Sequence, residues 1–198
     1  LPKIIFEGSE KWPSGIVGVV AGRLVEKYSR PIFIYSIEDD KNKGSCRSIK
    51  SFNLVEAMKV CSDLLMDHGG HALAAGFTVS NENLEKFKNR LLGEAEKLTD
   101  EYLKSVLNID AKIEFDEVDW EIYDYLKDFE PYGQENVKPK FLLENLKIKK
   151  VKWVGNGEKH VQIQFKEDKV LAMKALKGIA FNFEDFKDKI KEGDKADV

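Results

Sequence analysis

Apolar positions recur with two different periods along this chain, and the period changes near residue 105. Ile4-Ile5-Phe6 predicts a short strand. Beyond Trp12-Pro13-Ser14-Gly15, the residues Val17, Val20, Ala21, Leu24 and Tyr28 repeat at helical spacing and predict a helix running to Tyr28. Gly15, Gly18 and Gly22 fall together on another side of it. Three aligned glycines mark a face where something approaches the backbone closely, either a sheet packed against it or a ligand. Pro31–Ile37 reads as a buried strand, Asp39–Lys43 as a polar loop and Lys43–Ser48 as a further strand. Leu54, Ala57, Met58, Cys61, Leu64, Leu65 and His68 keep helical spacing, so a long helix is expected there, closed by Gly69-Gly70. Ala74–Val79 predicts a strand, and Leu84, Phe87, Leu91, Ala95 and Leu98 a third helix. Strands alternating with helices give an α/β domain, a mixed sheet with flanking helices, over residues 1–105.

From residue 106 the spacing is that of short strands. Leu107, Ile109, Ala111, Ile113 and Phe115 alternate, as in a half-buried strand. A short acidic helix is expected over Val118–Phe129. Leu146 and Ile148 are followed by Val151 and Trp153, so the alternation slips one place at Lys149-Lys150 and predicts a β-bulge. Gly155-Asn156-Gly157 is a hairpin turn, with Val161, Ile163 and Phe165 alternating on the return strand. Further strands are expected near Val170–Ala175 and Gly178–Phe181. The pattern describes a small β-barrel over residues 106–198.

Composition changes this picture only when it is divided. The 198 residues hold 32 Lys+Arg and 35 Asp+Glu, a net charge of −3 that argues against a nucleic-acid binder. Yet residues 1–105 are neutral, residues 110–135 carry −8 and residues 138–177 carry +7. The basic excess lies on the predicted hairpin, at Lys147, Lys149, Lys150, Lys152, Lys159 and Lys166, and His160, Gln162 and Gln164 share its non-core face. Such a face, with Trp153 and Phe165 nearby as stacking candidates, suits a phosphate backbone and its bases; it also suits a solvated outer face blocked by lysines. No apolar run approaches the roughly 20 residues of a membrane span. Cys46 and Cys61 lie 15 apart without a CxxC pattern, as expected of reduced core thiols in a cytoplasmic protein. The start at Leu1 and the strand-like Lys195–Val198 read as a segment of a longer protein.

Two short stretches carry candidate chemistry. In Lys43-Gly44-Ser45-Cys46-Arg47-Ser48, an extended backbone points Ser45 and Arg47 to one side. A hydroxyl beside a guanidinium makes a phosphate clamp. His71 follows Gly69-Gly70 directly and precedes Ala72-Leu73-Ala74-Ala75-Gly76. It is either a solvated turn histidine or a residue that meets a ligand lying against the main chain, where glycine amides hold anions. No Walker loop, HExxH, EF-hand loop or zinc-type cysteine cluster occurs. The residues alone describe a segment that binds something phosphorylated and has no catalytic centre.

Trp12–Tyr28 (WPSGIVGVVAGRLVEKY), Gly44–Ser48 (GSCRS), Phe52–Leu65 (FNLVEAMKVCSDLL) and His68–Gly76 (HGGHALAAG) closely resemble the DHH-associated domain of the RecJ family of single-strand-specific DNA exonucleases. Phe129–Phe141 (FEPYGQENVKPKF) and the hairpin with Lys159-His160 resemble that family's OB-fold domain. The resemblance implies a DHH-associated domain over 1–105 and an OB-like domain over 106–198 with a truncated last strand. It implies 5′-to-3′ hydrolysis of single-stranded DNA in repair and recombination, by an N-terminal DHH domain binding Mn²⁺ or Mg²⁺ that this segment lacks. The segment alone is then inactive and metal-free, and a helicase and a single-strand-binding protein are the implied partners. Ser45 and Arg47 match the family's phosphate-contacting strand and His71 its GGH histidine; Ser48, Gly69 and Gly70 beside them, and Lys150, Lys152, Lys159 and His160 of the basic hairpin, complete the candidate phosphate- and nucleic-acid-binding residues. The chain departs from the family's WHPG, reading Trp12-Pro13-Ser14-Gly15, and from its PFGxGNP at Glu135 and Val137. Two other readings remain: a DHH phosphodiesterase of short oligonucleotides or cyclic dinucleotides, against which the second domain counts, and a non-catalytic DNA-binding homologue.

Overall fold

The unbroken apolar run at Ile32–Ile37 becomes the second strand of a five-stranded sheet with helices on both faces, which is why it shows no alternation. In the computed structural model, which describes residues 1–133, 135–166 and 175–198, the chain forms two compact units, Leu1–Val106 and Leu107–Val198. The first contains β1 (Ile5–Ser9), α1 (Val17–Tyr28), β2 (Ile32–Ile37), β3 (Lys41–Arg47), α2 (Leu54–Val60), β4 (Leu65–His71), β5 (Ala74–Ser80) and α3 (Asn81–Ala95). The strands lie in the order β1-β2-β3-β5-β4, with β1 parallel to β2 and every other pair antiparallel.

Period-2 alternation sorts the side chains of this sheet. One face carries Phe6, Phe33, Cys46, Ala75, Phe77 and Val79, which pack with Leu54, Met58, Phe87 and Leu91 of α2 and α3. Phe6, Phe33, Phe77 and Phe87 form an aromatic cluster with ring centroids 5.1–6.3 Å apart. Gly44 exists for this cluster: a Cβ there would lie 2.3 Å from the Phe77 ring. The other face is covered over β1–β3 by α1, through Val17, Ala21, Ile32 and Ile34.

Two expectations fail in instructive places. The helix expected through His68 ends at Val60, with Asn53 accepting from Val55 and Glu56 N–H as its cap. A 3₁₀ turn at Ser62–Leu64 carries Leu64 inward, which prolongs the helical rhythm without the helix. Gly69-Gly70 is then no helix terminus but part of β4, an outer strand of the sheet, and His68 is exposed on it rather than packed. Of the glycines aligned on α1, only Gly18 is approached closely; Gly15 and Gly22 face open space.

The second unit contains β6 (Ala111–Lys112), α4 (Trp120–Lys127), β7 (Phe141–Leu142), β8 (Leu146–Val154), β9 (His160–Lys166), β10 (Leu176–Ala180) and β11 (Lys195–Ala196). A curled antiparallel sheet, β10-β9-β8-β11, buries Leu146, Ile148, Val161, Ile163 and Phe165, joined by Phe115. The register between β8 and β9 shifts between Ile148 and Lys150, so the bulge lies where the sequence placed it. The alternating segment 107–115 forms no long strand: only Ala111–Lys112 pairs, parallel to β7, and Leu107 and Ile109 are exposed. The strand expected at Val170–Ala175 lies mostly outside the described residues; Ala175, the described one, is not in a strand.

Candidate nucleic-acid interface

The register of the first sheet brings the two sequence motifs side by side. Across β3, β5 and β4, Arg47 pairs with Ala74 and Ala74 with His71; one rung along, Ser45 pairs with Gly76 and Gly76 with Gly69. Paired residues share a face, so Ser45, Arg47, Gly69 and His71 stand on the same side of the sheet as α1. Arg47 and His71 are two strand spacings apart, about 10 Å. Between them the floor is made only of Ala74, Gly76 and Gly69. A Cβ added at Gly69 would meet no atom within 4 Å. The floor is therefore main chain with one methyl group, walled by α1 on one side and open at β4 on the other.

Alternation gives each motif two jobs. In GSCRS, Cys46 faces the core, where its thiol donates to the Ala75 carbonyl at 3.2 Å, and burial pushes its pKa up to about 12. Ser48 is buried and its hydroxyl donates to the Phe52 carbonyl at 2.7 Å. Ser45 and Arg47 face the floor. The Arg47 guanidinium donates to the Cys46 carbonyl at 2.9 Å and lies over α1, its Nη2 3.3 Å from where a Gly18 Cβ would stand, as does Ser45 Oγ. Gly18 thus makes room for both groups. Among the described residues no carboxylate pairs with Arg47, so a half-buried cation keeps donors free for an anion. In HGGH, Gly70 has φ +142°, and a Cβ there would lie 2.5 Å from the Ala74 carbonyl oxygen. This glycine lets β4 reach His71 in register.

The second unit presents a different surface. On the outer face of its sheet, Lys150, Gln164 and Lys177 form one rung and Lys152, Gln162 and Ile179 the next. Lys177 and Ile179 belong to this face although the sequence did not single them out; only the strand pairing reveals them. Trp153 and Phe165 lie on the opposite, core face, so they do not serve as stacking platforms beside these lysines. Lys159 is exposed in the hairpin loop, where its carbonyl accepts from Phe183 N–H at 2.8 Å. His160 Nδ1 accepts from Asn182 N–H at 3.1 Å and its ring meets Phe181 edge-on, so it ties β9 to the segment after β10. The FEPYGQENVKPKF stretch is self-clamped: Asn136 Nδ2 donates to the Phe129 and Pro131 carbonyls, and the Tyr132 hydroxyl to the Leu126 carbonyl.

Two family profiles match the chain in succession, "DHHA1 domain" over residues 2–97 and "RecJ OB domain" over residues 109–198. Fold and site thus define a DHH-associated α/β domain followed by an OB-type half barrel. The chain is similar to the single-stranded-DNA-specific exonuclease RecJ of Bacillus subtilis, 34% identical over 160 residues, covering 79% of this chain and 20% of that protein. It is similar to the RecJ of Salmonella typhimurium, 30% identical over 186 residues, covering 88% and 30%. The crystal structure of RecJ from Thermus thermophilus in complex with Mn²⁺ superposes with a TM-score of 0.70 at 26% identity, over 90% of this chain and 28% of that one. The chain belongs to the RecJ family. It spans between a fifth and a third of the length of these relatives.

Proposed function

We propose that this chain is the part of a 5′-to-3′ single-stranded-DNA exonuclease that holds the strand while a DHH domain cuts it. The observation that carries the reading is the Arg47 guanidinium, without a carboxylate partner, beside Ser45 over a floor of glycine and alanine. Arg47 and the Ser45 hydroxyl hold a backbone phosphate. Ala74, Gly76 and Gly69 let the sugar–phosphate chain lie against the sheet, and the exposed His71 borders its open side at β4. Lys150, Lys152 and Lys177, with Lys159 from the hairpin loop, track phosphates along the half barrel, with Gln162 and Gln164 between them. Ser48 and His160 support this arrangement from within, through Phe52 and Asn182.

Among the described residues no three His, Cys, Asp or Glu side chains are grouped as a metal site would group them. The Mn²⁺ or Mg²⁺ that activates water belongs, in this reading, to the DHH domain. The fragment alone is then inactive. A helicase and a single-strand-binding protein, which deliver and cover single strands, are the fitting partners in the cytoplasm. In the full-length enzyme, Arg47→Ala should lower turnover of single-stranded DNA about a hundredfold with the fold intact. Near-normal turnover would overturn the assignment.

A further inference from the structure

Two depressions of the second unit share one side chain. Lys177 lines the shallow one over Gln162, Gln164 and Ile179 on the outer face of the sheet, and it also lines a groove of about 610 Å³ beside helix α4. Lys150, Gln164 and Lys177 form one rung across β8, β9 and β10, and β10 is the sheet's edge. No residue of β8 or β9 lines the α4 groove, so it lies past that edge. A single strand that crosses the rung from Lys150 to Lys177 arrives at it.

The make-up of the groove selects what enters it. Its walls include Trp120 and Tyr123 of α4 with Ile113 and Phe141, and its volume is that of a small-molecule pocket. No residue of α4 is buried, and Trp120 is 79% exposed, meeting Tyr123 edge-on at 5.6 Å. Lys127 lies 4.7 Å from the Tyr123 ring centroid, so Trp120 is the ring left to stack. The lining holds one acid and one cation. The acid, Asp119, caps α4 by accepting from Glu121 and Ile122 N–H at 2.9 and 3.0 Å. The cation, Lys177, has no carboxylate partner among the described residues. A near-neutral aromatic groove suits an uncharged planar ring better than a phosphate or a basic side chain, and an indole stacks on any base. We propose that the α4 groove is a base-stacking subsite: the phosphate stays on Lys177 while the adjoining base leaves the strand and lies on Trp120, toward Phe141. The subsite rests on the half barrel holding single-stranded DNA along Lys150, Lys152 and Lys177.

The test follows the three tryptophan indole N–H signals of the 198-residue chain by NMR. An oligothymidylate is titrated in at low salt, beside an abasic deoxyribose-phosphate oligomer of the same length and charge. Both should bind, but only the oligothymidylate should move the Trp120 signal. Trp120→Ala should weaken the oligothymidylate about tenfold and leave the abasic oligomer unchanged, and Trp120→Phe, which keeps a ring, should recover most of the loss. Trp120 is so exposed that its removal leaves the fold intact, which the Trp12 and Trp153 signals report. If the oligothymidylate binds without moving Trp120, moves it no more than the abasic oligomer does, or binds Trp120→Ala as tightly as the parent, the base subsite is overturned and the phosphate track stands. If neither oligomer binds, the strand-holding reading falls and the subsite with it.

Discussion

At the scale of single residues, neighbouring glycines have opposite meanings. Gly70 holds a backbone that other residues rarely adopt, with the Ala74 carbonyl where a Cβ would go, so Gly70→Ala should cost about 1–3 kcal/mol in urea unfolding. Gly69→Ala meets nothing and should stay within about 0.5 kcal/mol of the parent, while its methyl intrudes on the floor and weakens DNA binding. The thiols give a pH signature. Burial raises Cys46 to about 12 and Cys61 to about 11, against 9.0 unperturbed. Folding then favours the protonated thiol, so this contribution is complete below pH 9 and is lost as pH rises toward 11–12. Cys46→Ala should flatten the alkaline limb of a stability–pH profile. Ser45 and Arg47 were legible because alternation alone sets their direction. The commitment of Ser48 to Phe52 and of His160 to Asn182 was not, because both partners are main-chain groups that no side-chain pattern announces.

Elements test the logic of spacing. In β8 the extra residue is Lys149: without it, Ile148, Lys150, Val151, Lys152 and Trp153 alternate cleanly. Deleting Lys149 should leave a folded chain with a straighter hairpin, whereas deleting Lys152 reverses the faces beyond it and should abolish cooperative melting, read by circular dichroism. The bulge was legible because both flanking strands bury one face. Strand β4 was not, because Met66 to His71 are exposed and give no apolar rhythm, while Leu64 supplied a false helical beat just before it. Segment 107–115 misled in the opposite way, alternating in sequence while only Phe115 finds a core.

For the whole molecule, the net −3 predicts the wrong electrostatics, because the charge is segregated. Arg47, Lys150, Lys152, Lys159 and Lys177 together should give a slope of log affinity against log salt of about −3.5 for single strands, at about 0.7 per phosphate neutralised. Replacing Lys150 and Lys152 with Gln should shallow that slope by about 1.4 and weaken all sequences alike. A last consequence comes from β4. It ends one side of the sheet without lysine or proline; Asp67 and the register irregularity between Leu65 and Asp67 blunt its start, and among the described residues no strand covers the outer side of His68–His71. The bareness proposed to admit DNA to the floor also leaves, at the end of β4, a template onto which another extended segment can add itself, so unoccupied molecules at high concentration should stack edge to edge, and a bound strand across the floor should keep them apart.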